Sequence, residues 1–178
     1  MNHWKHIARL TFLSAVLLLT SCNRANLPVF GTVKRFSLTN SFSETFKSTS
    51  MQGKVWLSAS FFTRCPGPCL LLLGRMKELV DNFPGLEAVA VTSDSTYDTA
   101  EVLKAYQFSK NLIPPRWHLL TGDKPAVDTV IESSFQLGLG EDAETHSLRI
   151  VLIDRNMQIR GSFDSRDEVA LSNLRKGV

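Results

Sequence analysis

The sequence predicts an α/β fold, in which a central sheet of strands is covered by helices on both faces. Segments 55–62 and 86–92 are apolar and of strand length, and each precedes a segment whose apolar residues have helical spacing. Further along, 148–153 and 158–163 are predicted to form a hairpin that turns at residues 154–156. Strands that alternate with helices, followed by a terminal hairpin and helix, are typical of a mixed sheet flanked by helices.

The remaining elements complete this order along the chain. Residues 29–50 carry apolar residues at the spacing of short strands, which predicts an N-terminal strand or hairpin extension. Asp98 or Thr99 is expected to cap a helix, because a short side-chain oxygen accepts the free amides of a first turn. Pro125 suits the first turn of the helix after that. The helices are predicted at 70–80, 100–109, 126–135 and 166–174, with a short strand at 117–120.

The N-terminal residues have the pattern of an export signal. Residues 1–9 contain Lys5 and Arg9 and no acid, and the apolar run 10–19 follows them. A helix that spans a membrane needs about 20 apolar residues, so this run is too short to be a stable anchor. It ends in Leu19-Thr20-Ser21-Cys22, which resembles a bacterial lipoprotein box and so implies cleavage before Cys22 and a lipid on its sulfur. The alternative is an ordinary secretory signal in which that cysteine is incidental.

These patterns divide the chain into a lipoprotein signal peptide (1–21), a lipidated tether (22–28) and one domain (29–178). We expect the protein on the periplasmic side of the cell envelope, held at the inner or the outer membrane by its lipid. Loss of Lys5 and Arg9 with the leader removes two of the 20 basic residues and none of the 17 acids, so the formal net charge falls from +3 to +1. A nearly neutral domain gives no support to nucleic-acid binding.

The pair Cys65 and Cys69 directly follows the predicted strand 55–62. Pro68 suits the first position of a helix, which leaves Cys65 in the loop and Cys69 in the first helical turn. The free amides and the dipole of a helix start favour thiolates, so both sulfurs are expected to be primed as nucleophiles or metal ligands. A structural disulfide across so short a loop would constrain little of the unfolded chain.

Two chemistries remain open for this pair, disulfide exchange and metal binding. Three residues separate the cysteines, whereas thioredoxin-type exchangers favour two. Those exchangers also place a cis-proline before a later strand, where this chain has His146. Two thiolates and one imidazole suit copper, whereas a closed structural zinc site needs four ligands. His118, the other histidine beyond the leader, is expected to be a packed or surface residue.

Five segments of the chain carry a resemblance to a known family. They are 61–69 (FFTRCPGPC), Asp94 with Asp98-Thr99 and 101–106, 117–122 (WHLLTG), His146-Ser147, and 152–154 (LID). In this order, over about residues 54–164, they resemble the Sco/SenC family of copper-binding, thioredoxin-like proteins. The resemblance implies a thioredoxin-like fold and a copper site made by Cys65, Cys69 and His146. It also implies a partner, the copper-bearing subunit of cytochrome c oxidase or another envelope cuproprotein, to which a monomer delivers copper.

The sequence therefore supports two functions of different classes. The first is a lipid-anchored copper chaperone, which is a binding protein and not an enzyme. The second is a thiol-disulfide reductase of the cell envelope, with Cys65 and Cys69 as its redox pair. Leu70 follows the second cysteine where the family usually has proline. Asp94 and Asp98 are expected to shape a turn and a helix cap and not to bind metal.

Overall fold

A computed structural model describes residues 27–138 and 147–178. The signal peptide, most of the predicted tether, Cys22 and His146 lie outside the described residues. Eight strands in these ranges form one mixed sheet in the order β1-β8-β7-β4-β5-β6-β2-β3. The strands are β1 (Gly31–Thr32), β2 (Ser37–Asn40), β3 (Thr45–Lys47), β4 (Val55–Phe61), β5 (Leu86–Thr92), β6 (Trp117–Thr121), β7 (Arg149–Ile153) and β8 (Gln158–Asp164).

The centre of the sheet is parallel. β4 pairs with β5, and β5 with β6, so the carboxyl ends of all three strands lie at one edge. β7 runs antiparallel to β4, with Ser58 opposite Val151. β8 then returns beside β7 as the predicted hairpin, which confirms a mixed sheet.

Four α-helices cover both faces of the sheet, as predicted. They are α1 (Pro68–Asn82), α2 (Ala100–Ser109), α3 (Lys124–Thr129) and α4 (Glu168–Gly177). Side chains alternate between the faces of β4, so Leu57, Ala59 and Phe61 pack against α1, α2 and α4. Trp56 points to the other face, where it meets α3 and Phe135.

The N-terminal strands extend this same sheet at its two edges. β1 pairs with β8 at one edge, and the hairpin of β2 and β3 pairs with β6 at the other. The hairpin is fastened to α2 by a buried hydrogen bond of 2.5 Å from Ser41 Oγ to Gln107 Oε1. Gln107 in turn donates to the carbonyls of Leu112 and Trp117, so one polar side chain links three segments.

The helix bounds differ from the prediction at particular residues. α1 begins at Pro68, and α2 occupies the predicted residues with Thr99 as its cap. The predicted helix 126–135 begins instead at Lys124 and continues as a π-helical turn, Val130–Ser134. No helix among the described residues is long and apolar enough to cross a membrane.

Candidate functional site

The two cysteines lie where the sequence predicts them. The chain leaves β4 at Phe61, turns through a hydrogen bond of 3.3 Å from the Cys65 amide to the Phe62 carbonyl, and enters α1 at Pro68. Cys65 is therefore in the loop and Cys69 in the first helical turn. The loop sits at the edge where the parallel strands end, which is the usual place for functional loops in α/β sheets.

The two sulfurs share one buried site. The backbone amide of Cys69 donates a hydrogen bond of 3.2 Å to Sγ of Cys65, and both cysteines are thiols and not a disulfide. Cys65 retains 8% of its surface exposure and Cys69 retains none. One amide of the helix start, that of Cys69, thus donates to the sulfur of Cys65, while Cys69 is enclosed by the core.

This enclosure corrects one expectation. Burial raises the pKa of the Cys69 thiol well above its ordinary value, and a side-chain hydrogen bond with Cys65 raises it further, although a backbone interaction with Phe62 opposes the shift. Cys69 is therefore a protonated thiol at neutral pH and is not primed as a thiolate. The dipole argument neglected the loss of solvation of a sulfur that lies inside the core.

Asp98 fastens the start of the Cys loop, a role that the sequence did not predict. Its carboxylate is fully buried and accepts hydrogen bonds from the amide (3.0 Å) and the hydroxyl of Thr63. It also accepts from the hydroxyl of Thr92, the last residue of β5. The capping role predicted for Asp98 or Thr99 belongs to Thr99, whose hydroxyl accepts from the Val102 amide.

The exposed side of the loop is held by Arg64. Its guanidinium forms an ion pair of 2.7 Å with Asp94 and lies 4.0 Å above the ring of Tyr97. The hydrogen bond with Asp94 raises the pKa of Arg64. Asp94 therefore shapes the neighbouring turn, as predicted, and pairs with the loop as well. Leu70, Leu71 and Tyr97 are between 42% and 46% exposed and give the rim of the site an apolar surface.

Tyr106 is a further residue near the sulfurs that sequence reasoning missed. Its ring packs 5.8 Å from that of Phe61 at the end of β4. Burial raises the pKa of Tyr106 to about 12, and the charges of Cys69, Cys65 and Asp98 add to the shift. Its position in the quoted segment 101–106 was the available signal, but spacing alone does not show which side chains of α2 face the loop.

His118 is a packed residue, as predicted. Its Nε2 lies 2.9 Å from a carboxylate oxygen of Glu87, and its ring lies 5.1 Å from that of Phe46. Lys54 pairs with the same carboxylate at 2.8 Å. Burial would raise the pKa of Glu87, but the hydrogen bonds from Lys54 and His118 outweigh it and the pKa is lowered. These partners hold His118 at the amino ends of the parallel strands, away from the cysteines.

Within the ranges that the structure describes, no three Cys, His, Asp or Glu side chains converge as a metal site. His146 lies outside those ranges, so its predicted place beside the sulfurs stays a prediction. Met76 is fully buried in the core against which the cysteines pack.

A mixed sheet with helices on both faces and two thiols at the end of a central parallel strand defines a dithiol protein of the thioredoxin-like class. The family model described as SCO1/SenC matches residues 26–175, and the chain belongs to that family. A SCO2-like protein of Rickettsia typhi is 31% identical to it, over 68% of this chain and 64% of that protein. The match thus spans slightly less than two thirds of the length of that relative.

Two solved structures show the same fold. BsSco, described as a member of the Sco family of cytochrome c oxidase assembly proteins with a disulfide switch, has a TM-score of 0.71 at 18% identity, covering 84% of this chain and 92% of BsSco. ScoI of Bradyrhizobium japonicum with copper bound has a TM-score of 0.62 at 22% identity, covering 83% of this chain and 99% of ScoI. The predicted thioredoxin-like fold is therefore confirmed.

Proposed function

We propose that this protein is a copper carrier of the cell envelope, which binds copper through Cys65, Cys69 and His146. It passes the metal on for assembly of the binuclear copper centre of a cytochrome c oxidase. The observation that carries the proposal is the pair of buried sulfurs at the carboxyl end of β4, in a chain of the SCO1/SenC family. Two thiolates suit soft copper better than they suit hard cations.

The strand register supports His146 as the third ligand. β7 lies antiparallel to β4 with Ser58 opposite Val151. Because the pairing is antiparallel, β7 begins at the edge where β4 ends and the Cys loop leaves the sheet. Ser147 stands two residues before β7, and His146 directly precedes it in the sequence. Imidazole completes a ligand set of two sulfurs and one nitrogen, which suits copper. ScoI, which shares the fold, is described with copper bound.

The cellular setting is part of the same proposal. A lipid on Cys22 would hold the domain at the periplasmic face of a membrane. BsSco, which shares the fold, is described as a member of a family of cytochrome c oxidase assembly proteins. The partner is accordingly a copper-bearing oxidase subunit or another envelope cuproprotein.

The test is copper binding by the reduced chain. Native mass spectrometry of the detergent-solubilised protein, titrated with Cu(I) and separately with Cu(II), should show one copper per monomer. His146→Ala should bind at least about tenfold more weakly, because one of three ligands is lost. His118→Ala is the matched control and should bind like the wild type. Equal binding by the wild type and His146→Ala would falsify the three-ligand site.

A thiol-disulfide reductase is the second candidate. The hydrogen bond from the Cys69 amide to Sγ of Cys65 favours it, because the bond holds one sulfur at the start of the helix that carries the other. A reductase should turn over a model disulfide equally well with and without His146. A carrier should lose its metal in His146→Ala and show no turnover in either form.

A further inference from the structure

The buried carboxylate of Asp98 joins the end of β5 to the Cys loop, which follows β4. It accepts from both polar groups of Thr63, which is the second residue before Cys65, and from the hydroxyl of Thr92 at the end of β5. A fully buried carboxylate is strongly destabilising unless donors of this kind surround it. Asp98 has three, and two of them belong to the loop that carries the sulfur.

Thr63 is well placed to control the position of Cys65. The loop makes one turn between them, closed by the bond from the Cys65 amide to the Phe62 carbonyl. Sγ of Cys65 then meets the amide of Cys69 in the first turn of α1. A shift of Thr63 is therefore passed through a single turn to the sulfur. Arg64 also connects the loop to its surroundings, through an ion pair with Asp94 and a contact with the ring of Tyr97. The side chains of Arg64 and Asp94 are 57% and 27% exposed, and exposed ion pairs contribute little.

We propose that Asp98 and Thr63 form a positioning pair, which sets the geometry of the two sulfurs without touching copper or a disulfide partner. The carboxylate holds the start of the loop by two hydrogen bonds and is itself held by Thr92. For copper the inference rests on the proposed function. For the dithiol it stands without copper, because the same geometry decides how readily Cys65 and Cys69 join as a disulfide.

The restraint by Asp98 and Thr63 should raise the effective concentration that the sulfur of Cys65 has at the sulfur of Cys69. Sulfurs held near each other form a disulfide more readily than sulfurs on a loose loop, since less freedom is lost on closure. Loss of a hydrogen bond to a charged group should weaken the restraint by about tenfold or more. A tenfold fall in the stability of the disulfide makes the reduction potential of the pair less negative by about 30 mV.

The experiment measures that potential in the metal-free protein, equilibrated in glutathione buffers and trapped by alkylation. Thr63→Val keeps the shape of the side chain and removes its hydroxyl, and Asp98→Asn keeps the size and replaces an acceptor oxygen by a donor. Both should have a potential less negative than that of the wild type, by about 30 mV or more. Cu(I) competition against a chromophoric chelator should show weaker binding by the same variants, by about tenfold.

Two further variants separate positioning from packing. Thr63→Ser restores the hydroxyl without the methyl group and should have the potential of the wild type. Thr121→Val makes the same change at the end of β6, away from the Cys loop, and should also leave the potential unchanged. If the reduction potential of Thr63→Ser is shifted as far as that of Thr63→Val, the effect comes from the methyl group and the proposal is overturned.

The outcomes remain decisive where a variant unfolds or copper does not bind. Thermal unfolding of each variant is measured first, and if Asp98→Asn is unfolded, Thr63→Val and Thr63→Ser decide the matter. Unchanged potentials in folded Thr63→Val overturn the positioning pair. A wild-type protein that binds no copper contradicts the proposed function, while the metal-free potentials still decide whether Asp98 and Thr63 position the sulfurs.

Discussion

The amide of Cys69 donates to Sγ of Cys65 over 3.2 Å, and this relationship makes the two sulfurs chemically unequal. Sγ of Cys65 receives a donor from the start of α1 and keeps a small exposed surface. Cys69 supplies that donor from its backbone while its own thiol is enclosed by the core. A pair that looks symmetric in the sequence thus has one cysteine that keeps 8% of its surface exposed and one that keeps none.

Selective alkylation should reveal this inequality. Two variants, each made in a Cys22→Ser background, leave one thiol to react with iodoacetamide at pH 7.5. Cys69 is the remaining thiol in Cys65→Ala, and Cys65 is the remaining thiol in Cys69→Ala. Alkylation of Cys69 should be at least about tenfold slower than alkylation of Cys65. Burial, the largest cause of the raised pKa of Cys69, persists when Cys65 is removed. Mass spectrometry of timed samples gives both rates. Equal rates would mean that Cys69 is not enclosed in solution.

Stability should fall at alkaline pH because of two groups near the site. The pKa of Cys69 is raised above its ordinary value, and that of Tyr106 is raised from 10.0 to about 12. The folded state therefore binds these protons more tightly than the unfolded state. Their contribution is complete below about pH 9 and is lost as pH rises towards 12. Urea unfolding from pH 8 to 11 should show a smaller loss in Tyr106→Phe and Cys69→Ala than in the wild type.

The opposite dependence is expected for Glu87. Its pKa is lowered, so its contribution is present above about pH 4.5 and is lost as pH falls through the lowered value. Urea unfolding between pH 3 and 7 should show a smaller acid loss in Glu87→Gln than in the wild type. Glu101→Gln, which changes an exposed acid at the start of α2, is the control and should retain the wild-type slope. An unchanged slope in Glu87→Gln would contradict the network with Lys54 and His118.

The start of α4 offers a test that is independent of the site. The carboxylate of Asp167 accepts hydrogen bonds from the amides of Val169 and Ala170. Asp167→Ala should lower the free energy of unfolding by about 1 kcal/mol, measured by urea denaturation, because those amides lose their acceptor. Asp123 precedes α3 without a side-chain hydrogen bond, so Asp123→Ala should have a smaller effect. Copper binding should be unaffected in both variants.

Local patterns were sufficient to predict the fold and the place of the cysteines. The apolar runs gave β4 and β5, and Pro68 placed Cys69 in a first helical turn. The role of Asp98 was not predictable, because its partner Thr63 is distant in the sequence and the contact depends on the packing of two strand ends. The same reason applies to the raised pKa of Cys69, since burial is a property of the assembled core.

The π-helical turn Val130–Ser134 was missed for a different reason. Its residues have the apolar spacing of an ordinary helix, and Val130 and Ile131 are buried in the same cluster as Trp56. Spacing alone therefore predicted one continuous helix. When the local form of a helix depends on contacts with distant segments, a single sequence predicts the helix but not a π-helical turn within it.

The antiparallel pairing of β4 with β7 ties the site to completion of the fold. The Cys loop leaves one of these strands, and Ser147 leads into the other from a distant part of the chain. The two segments meet only once the middle of the sheet has closed. An unfolded chain leaves the two thiols apart from the segment that precedes β7, so any ligand that needs both would bind only after this part of the sheet has formed.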